Sequence, residues 1–193
     1  MVDTHYDYCI GTANIRLKKS LKVMLAEAGF HSSGEADSVP LFLRKLRMVQ
    51  PWLAVVDTAL PPGNIEQLAA IIESDGLAAA IYINPSGIRL DNHVQLSWPV
   101  EAPVFDAVAK AICNEFAHKK KLQREIENLQ RKLHDRKVIE KAKGVLANHY
   151  SLSEEDAYRF LQKSSMEKRI TMAEMAGKII NEPDRFAFLK RRL

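Results

Sequence analysis

The chain has 193 residues, of which 47% are apolar and 27% charged, and its net charge is only +4. That length holds one large domain or two small ones, each with its own core, and the composition is that of a globular protein rather than a disordered one. No stretch approaches the roughly 20 apolar residues that cross a bilayer, and Met1–His5 has neither the basic nor the apolar part of a signal peptide, so a cytoplasmic protein is expected.

The first hundred residues alternate short apolar runs with amphipathic stretches, the βαβ rhythm of a parallel sheet. Tyr8-Cys9-Ile10 reads as a first strand. A helix follows over Ile15 to Ala28, with Leu17, Leu21, Met24 and Leu25 on one face and Gly29 as its stop. Residues 39–49 predict a second helix, with Pro40 near its start. The run Trp52 to Val56 is apolar throughout and ends at Asp57, which fits a strand buried on both faces. A helix near 64–74, a strand at Ala79 to Ile83 and a short strand at Val94 to Trp98 complete this half. Cys9 and Cys113 lie far apart, and the six histidines show no metal-ligand spacing. The thiols read as buried rather than paired, and neither a metal nor a cofactor is expected.

From about Pro103 the period becomes helical and stays so. Leu122, Ile126, Leu129 and Leu133 are spaced four-three-four, as in the seam of a coiled coil, and Ile112 continues that register upstream. The seam serves either to pair two chains or to pack on its own domain. Beyond Asp135 it widens into Val138, Ile139, Ala142, Val145 and Leu146, and Asn148 to Leu152 reads as a break. Ser153 caps a helix with Glu154, Glu155 and Asp156 in its first turn and Ala157, Phe160, Leu161 and Ser164 on its core face. Thr171 and Glu174 form a capping box for a last helix, which buries Met172, Met175, Ala176, Ile179 and Ile180 and stops at Pro183.

Charge is unequal between the halves: 8 Lys and Arg against 10 Asp and Glu in residues 1–100, but 20 against 14 in residues 101–193. A basic half fits a polyanion partner, and it equally fits a long solvated helix. On the helix after Asp135, Lys137, Lys141 and Gly144 point away from the apolar stripe, while Arg136 and Lys143 border it. A mid-helix glycine costs on the order of 1 kcal/mol against alanine. Either a phosphate backbone or a neighbouring helix comes close at Gly144. Lys168 and Arg169 add cations before the last helix, and Tyr158 either stacks a splayed base or sits at a core edge.

The segments Arg136 to Leu146, Ser153 to Tyr158, Met166 and Met172 to Ala176 together resemble an ANTAR domain. The resemblance covers about the last third of the chain. It implies a dimeric, response-regulator-like antiterminator that binds tandem hairpins in leader transcripts and prevents an overlapping terminator. The candidate RNA-binding residues are then Arg136, Lys137, Lys141, Lys143, Gly144, Tyr158, Lys168 and Arg169, with Leu122, Ile126, Leu129 and Leu133 pairing two chains.

The N-terminal order, with Asp57 at a strand end, resembles a phosphoacceptor receiver domain. Such chemistry needs an acidic pair after the first strand to hold Mg²⁺, and here the positions read Gly11-Thr12-Ala13-Asn14. Trp98 stands where a lysine is expected before Pro99, and Asn84-Pro85 where a hydroxyl residue is expected. About ten residues, Pro85 to Val94, leave little room for the usual helix. Phosphorylation at Asp57 is therefore not expected, and a regulatory protein, a small ligand or simply protein concentration becomes the expected input.

The expected architecture is an α/β receiver-like (flavodoxin-like) domain over 1–105, a coiled-coil helix over 106–135, an all-α three-helix RNA-binding domain over 136–183 and a basic tail over 184–193. Two other functions compete with RNA-binding antitermination: a DNA-binding response regulator, and an adaptor that binds only proteins. With no nucleophile–base pair or phosphate loop in the sequence, an enzyme is not expected.

Overall fold

The computed structural model describes residues 6–62, 64–85, 87 and 90–182. The chain divides into two compact units between Lys120 and Lys121. In the first, β1 (Asp7–Gly11), β2 (His31–Ala36), β3 (Leu53–Asp57), β4 (Ala79–Asn84) and β5 (Gln95–Ser97) form one sheet in the order β2-β1-β3-β4-β5. Every pairing is parallel.

The central β3 is buried at all five positions, and this explains its unbroken apolar run. Its side chains still alternate. Ala54 and Val56 join Phe42 and Leu46 of α2 (Val39–Val49) and Leu68 and Ile72 of α3 (Ile65–Ser74). Leu53 and Val55 join Leu17, Leu21 and Leu25 of α1 (Ile15–Glu27) on the other face. Each of those faces removes several large side chains from water, at about 1.5–3 kcal/mol apiece.

Two features depart from the expected layout. The strand β2 has no signature in the sequence, because His31-Ser32-Ser33-Gly34-Glu35 carries no apolar residue. It is an edge strand held by backbone pairing to β1, so alternation is not required of it. Second, the first unit extends beyond residue 105. Phe105, Ala109 and Cys113 of α4 (Ala102–Tyr150) are fully buried in the α1-side core, with Ile112 and Phe116 packed against it. Ile112 therefore belongs to that core and not to the coiled-coil seam. As expected, the gap between β4 and β5 has no helix among its described residues. Leu90 enters the core there, and His93 meets Tyr82 edge-on at 5.5 Å.

The second unit consists of the rest of α4, α5 (Glu154–Lys168) and α6 (Met172–Asn181). Its core is Ala142, Leu146, Tyr150, Ala157, Leu161, Met175, Ala176 and Ile179. The expected break at Asn148 begins later, because Tyr150 is still helical and buried, and Ser151 turns the chain at φ 55°. Ser153 accepts from the Asp156 N–H, and Thr171 and Glu174 form the expected capping box. Pro183 and the basic tail 184–193 lie outside the described residues. Among those described, no helix is long and apolar enough to cross a membrane.

Candidate nucleic-acid interface

Along the second half of α4, Val138, Ile139, Ala142, Val145 and Leu146 turn toward α5 and α6. Away from them lies an exposed line of Gln130, His134, Lys137, Lys141, Gly144 and Asn148, spaced four-three-four-three-four. Helical periodicity puts residues so spaced on one side. Gln130, His134 and Asn148 are members that a pattern of lysines and arginines does not single out. Lys137 and Lys141 carry no ion pair with any described residue, and Arg136 is exposed beside them.

Gly144 has open space around it, since a Cβ built there meets no atom within 4 Å. Packing against a neighbouring helix thus does not account for it. Its backbone is bare on the exposed line, between Lys141 and Asn148.

Lys143 is different. Its side chain is only 12% exposed, and its Nζ donates to Glu154 Oε1 at 2.6 Å and to Glu140 Oε2 at 2.9 Å. The hydrogen bond from Lys143 holds the Glu154 carboxyl below its ordinary 4.5, and the two carboxylates raise the Lys143 ammonium. The pair joins α4 to the first turn of α5, so its charge is compensated within the domain. A depressed carboxylate contributes stability above its unfolded value and loses it as pH falls through the folded one. Lys143→Met should accordingly lower Tm at neutral pH, and the gap from the parent should narrow in acid, below the ordinary 4.5. Thermal melts in both conditions check this, and a gap unchanged in acid would remove the tether.

Tyr158 is 45% exposed on α5, outside the core edge. Lys168 and Arg169 are also exposed, Arg169 in the left-handed C-cap at φ 53°. These three belong to α5 and its terminal turn, separate elements from the α4 line.

The four seam residues lie open in the single chain: Leu122 46%, Ile126 48%, Leu129 53% and Leu133 60% exposed. They do not pack on their own domain. The same heptad positions continue as Arg136, Glu140 and Lys143, which ends the apolar seam at Leu133.

In the first unit, both Asp57 carboxylate oxygens are committed. Thr12 Oγ1 donates to Oδ2 at 2.7 Å, and the Ala59 N–H donates to Oδ1 at 2.9 Å, with Asp57 only 3% exposed. Asn14, the last of the four residues among which the acidic pair is expected, caps α1, and Trp98 packs against the α1-side core. Incubation with acetyl phosphate and Mg²⁺ should leave Asp57 unmodified by mass spectrometry; a stable acid-labile adduct there overturns this. The two thiols lie in the cores of opposite sheet faces, and burial raises Cys9 to about 11 and Cys113 to about 12.

Comparison with known proteins agrees with this division. The ANTAR domain family matches residues 127–180. The transcriptional regulatory protein PdtaR of Mycobacterium tuberculosis is 24% identical over 173 residues, which cover 85% of this chain and 84% of that protein. A signal receiver domain from an HD domain-containing protein of Pseudomonas fluorescens aligns with TM-score 0.56 at 12% identity, over 63% of this chain and 96% of its own. The receiver domain of a LuxO-type repressor from Vibrio parahaemolyticus aligns with TM-score 0.53 at 11% identity, over 61% of this chain and 97% of its own. At those identities the two solved structures speak for the fold alone.

Proposed function

From the premise that this chain carries an ANTAR domain behind a receiver-like half, we propose that it is an RNA-binding transcription antitermination regulator. It acts as a dimer that holds two hairpins of a leader transcript and so keeps an overlapping terminator from forming. The observation that carries the reading is the layout of α4, where an exposed apolar seam runs into an exposed line of Lys137, Lys141 and bare Gly144 backbone. Pairing through the seam duplicates that line, and two lines suit two stem-loops.

In this reading Arg136, Lys137 and Lys141 meet phosphates, and Gly144 lets the backbone come close. Lys168 and Arg169 extend the cationic surface, while exposed Tyr158 is placed to stack a splayed loop base. Lys143 serves the site indirectly through its tether to Glu154. The mechanism is stabilisation of one RNA fold over another, with no bond made or broken. Tandem-hairpin RNA should bind with log K falling linearly against log salt, while duplex DNA of equal charge binds weakly. A gel shift at physiological salt tests it. Preference for the duplex would favour a DNA-binding regulator, and binding of neither would favour a protein adaptor.

A further inference from the structure

The first hundred residues are close to neutral, yet their charge is segregated in space. Every Lys and Arg described between residues 6 and 100 lies on α1 or α2, four on the first and three on the second. By contrast α3 and the turn after it carry Glu66, Glu73 and Asp75 and no cation. The two basic helices flank the edge strand β2. A groove of about 430 Å³ opens there, with Lys18, Glu35 and Asp37 on one side and Leu41, Arg44, Lys45 and Met48 of α2 on the other.

Part of this charge is already compensated. Lys18 and Lys22 face Glu35 at 3.9 and 3.7 Å, and Arg47 reaches Asp75 at 3.1 Å. Arg44 and Lys45 have no ion pair among the described residues. The Lys45 stem crosses Gly34, where any Cβ would collide with it, so the missing side chain in β2 makes room for this lysine. On either side of the two cations stand Leu41 and Met48, 51% and 71% exposed. The order along α2 is apolar, cation, cation, apolar at positions i, i+3, i+4 and i+7, a stripe about 10 Å long on one helix face.

We infer that this stripe is a docking surface for an acidic amphipathic helix of a separate regulatory protein. Recognition of one helix by another uses this i, i+3, i+4, i+7 pattern. The complement is a helix with apolar anchors two turns apart, for Leu41 and Met48, and carboxylates between them for Arg44 and Lys45. A phosphate backbone has no apolar anchors to offer to the exposed Leu41 and Met48. Both Asp57 oxygens are engaged by Thr12 and Ala59, so an input arriving at the surface suits this domain. The inference is independent of RNA binding by the other unit.

The test uses the full chain and a labelled synthetic helix bearing two leucines seven residues apart with glutamates between them. Fluorescence anisotropy is read against a scrambled peptide of the same composition. The patterned helix should bind, and Arg44→Glu or Met48→Ser should each weaken it by about tenfold. Both positions are exposed, so circular dichroism should be unchanged and hairpin binding retained. Equal binding of the scrambled peptide, or no binding, overturns the inference. So does displacement of the patterned helix by single-stranded RNA of matched charge, which assigns the surface to polyanions. A change in association state of Met48→Ser during sedimentation, which assigns it to a second copy, overturns it as well.

Discussion

Ile126→Asp is expected to convert a dimer into a monomer and to lower affinity for tandem-hairpin RNA by at least about a hundredfold, through loss of bivalent engagement. A two-stranded seam buries each Ile or Leu twice, once per chain, at about 1.5–3 kcal/mol for each side chain. With four such exposed residues per chain, the seam would be the main cohesive term of the proposed dimer. An aspartate there also brings two carboxylates together in a desolvated site, which costs several kcal/mol more. Folding of either unit should be untouched, because Ile126 belongs to none of the three buried cores. Sedimentation equilibrium at micromolar concentration and a gel shift read the two effects. A variant that stays dimeric, or a parent that is monomeric, refutes pairing through this seam.

The second large effect concerns the exposed line. Lys137→Glu combined with Lys141→Glu should weaken hairpin binding by roughly tenfold per position. The slope of log K against log salt should also become shallower, by about 0.7–0.9 for each phosphate that a lysine no longer neutralises. Secondary structure should persist, because neither lysine is in an ion pair with a described residue. Gly144→Ala supplies the sharper contrast, since its two consequences have opposite signs. A methyl in open space on a helix should stabilise the domain by up to about 1 kcal/mol, raising Tm. The same methyl would stand where RNA is proposed to approach, and affinity should fall. If Gly144→Ala raises Tm and leaves binding intact, this backbone does not meet RNA and the line loses its most specific member.

How far the sequence can be read depends on the range of the interactions involved. The helices at 39–49 and 154–168, the Ser153 and Thr171 caps and the stripes of α5 and α6 are visible directly. Each rests on neighbours three or four residues away. The same holds for the exposed direction of Lys137, Lys141 and Gly144 on α4. Lys143 borders the apolar stripe on a helical wheel, and a wheel shows only which side a residue occupies, not what another helix brings to it.

Sequence alone determined the α/β order of the first half, the all-helical second half and the absence of acidic partners around Asp57. Tertiary structure decided that Thr12 closes on Asp57 from 45 positions away, and that Lys143 meets Glu154 from 11 away. It decided too that polar β2 becomes a strand, and that the start of α4 belongs to the sheet core. The physical reason is common to all four. Local periodicity and capping are properties of a few consecutive residues, whereas a partner across the fold is chosen only when burial of the cores brings distant segments into contact.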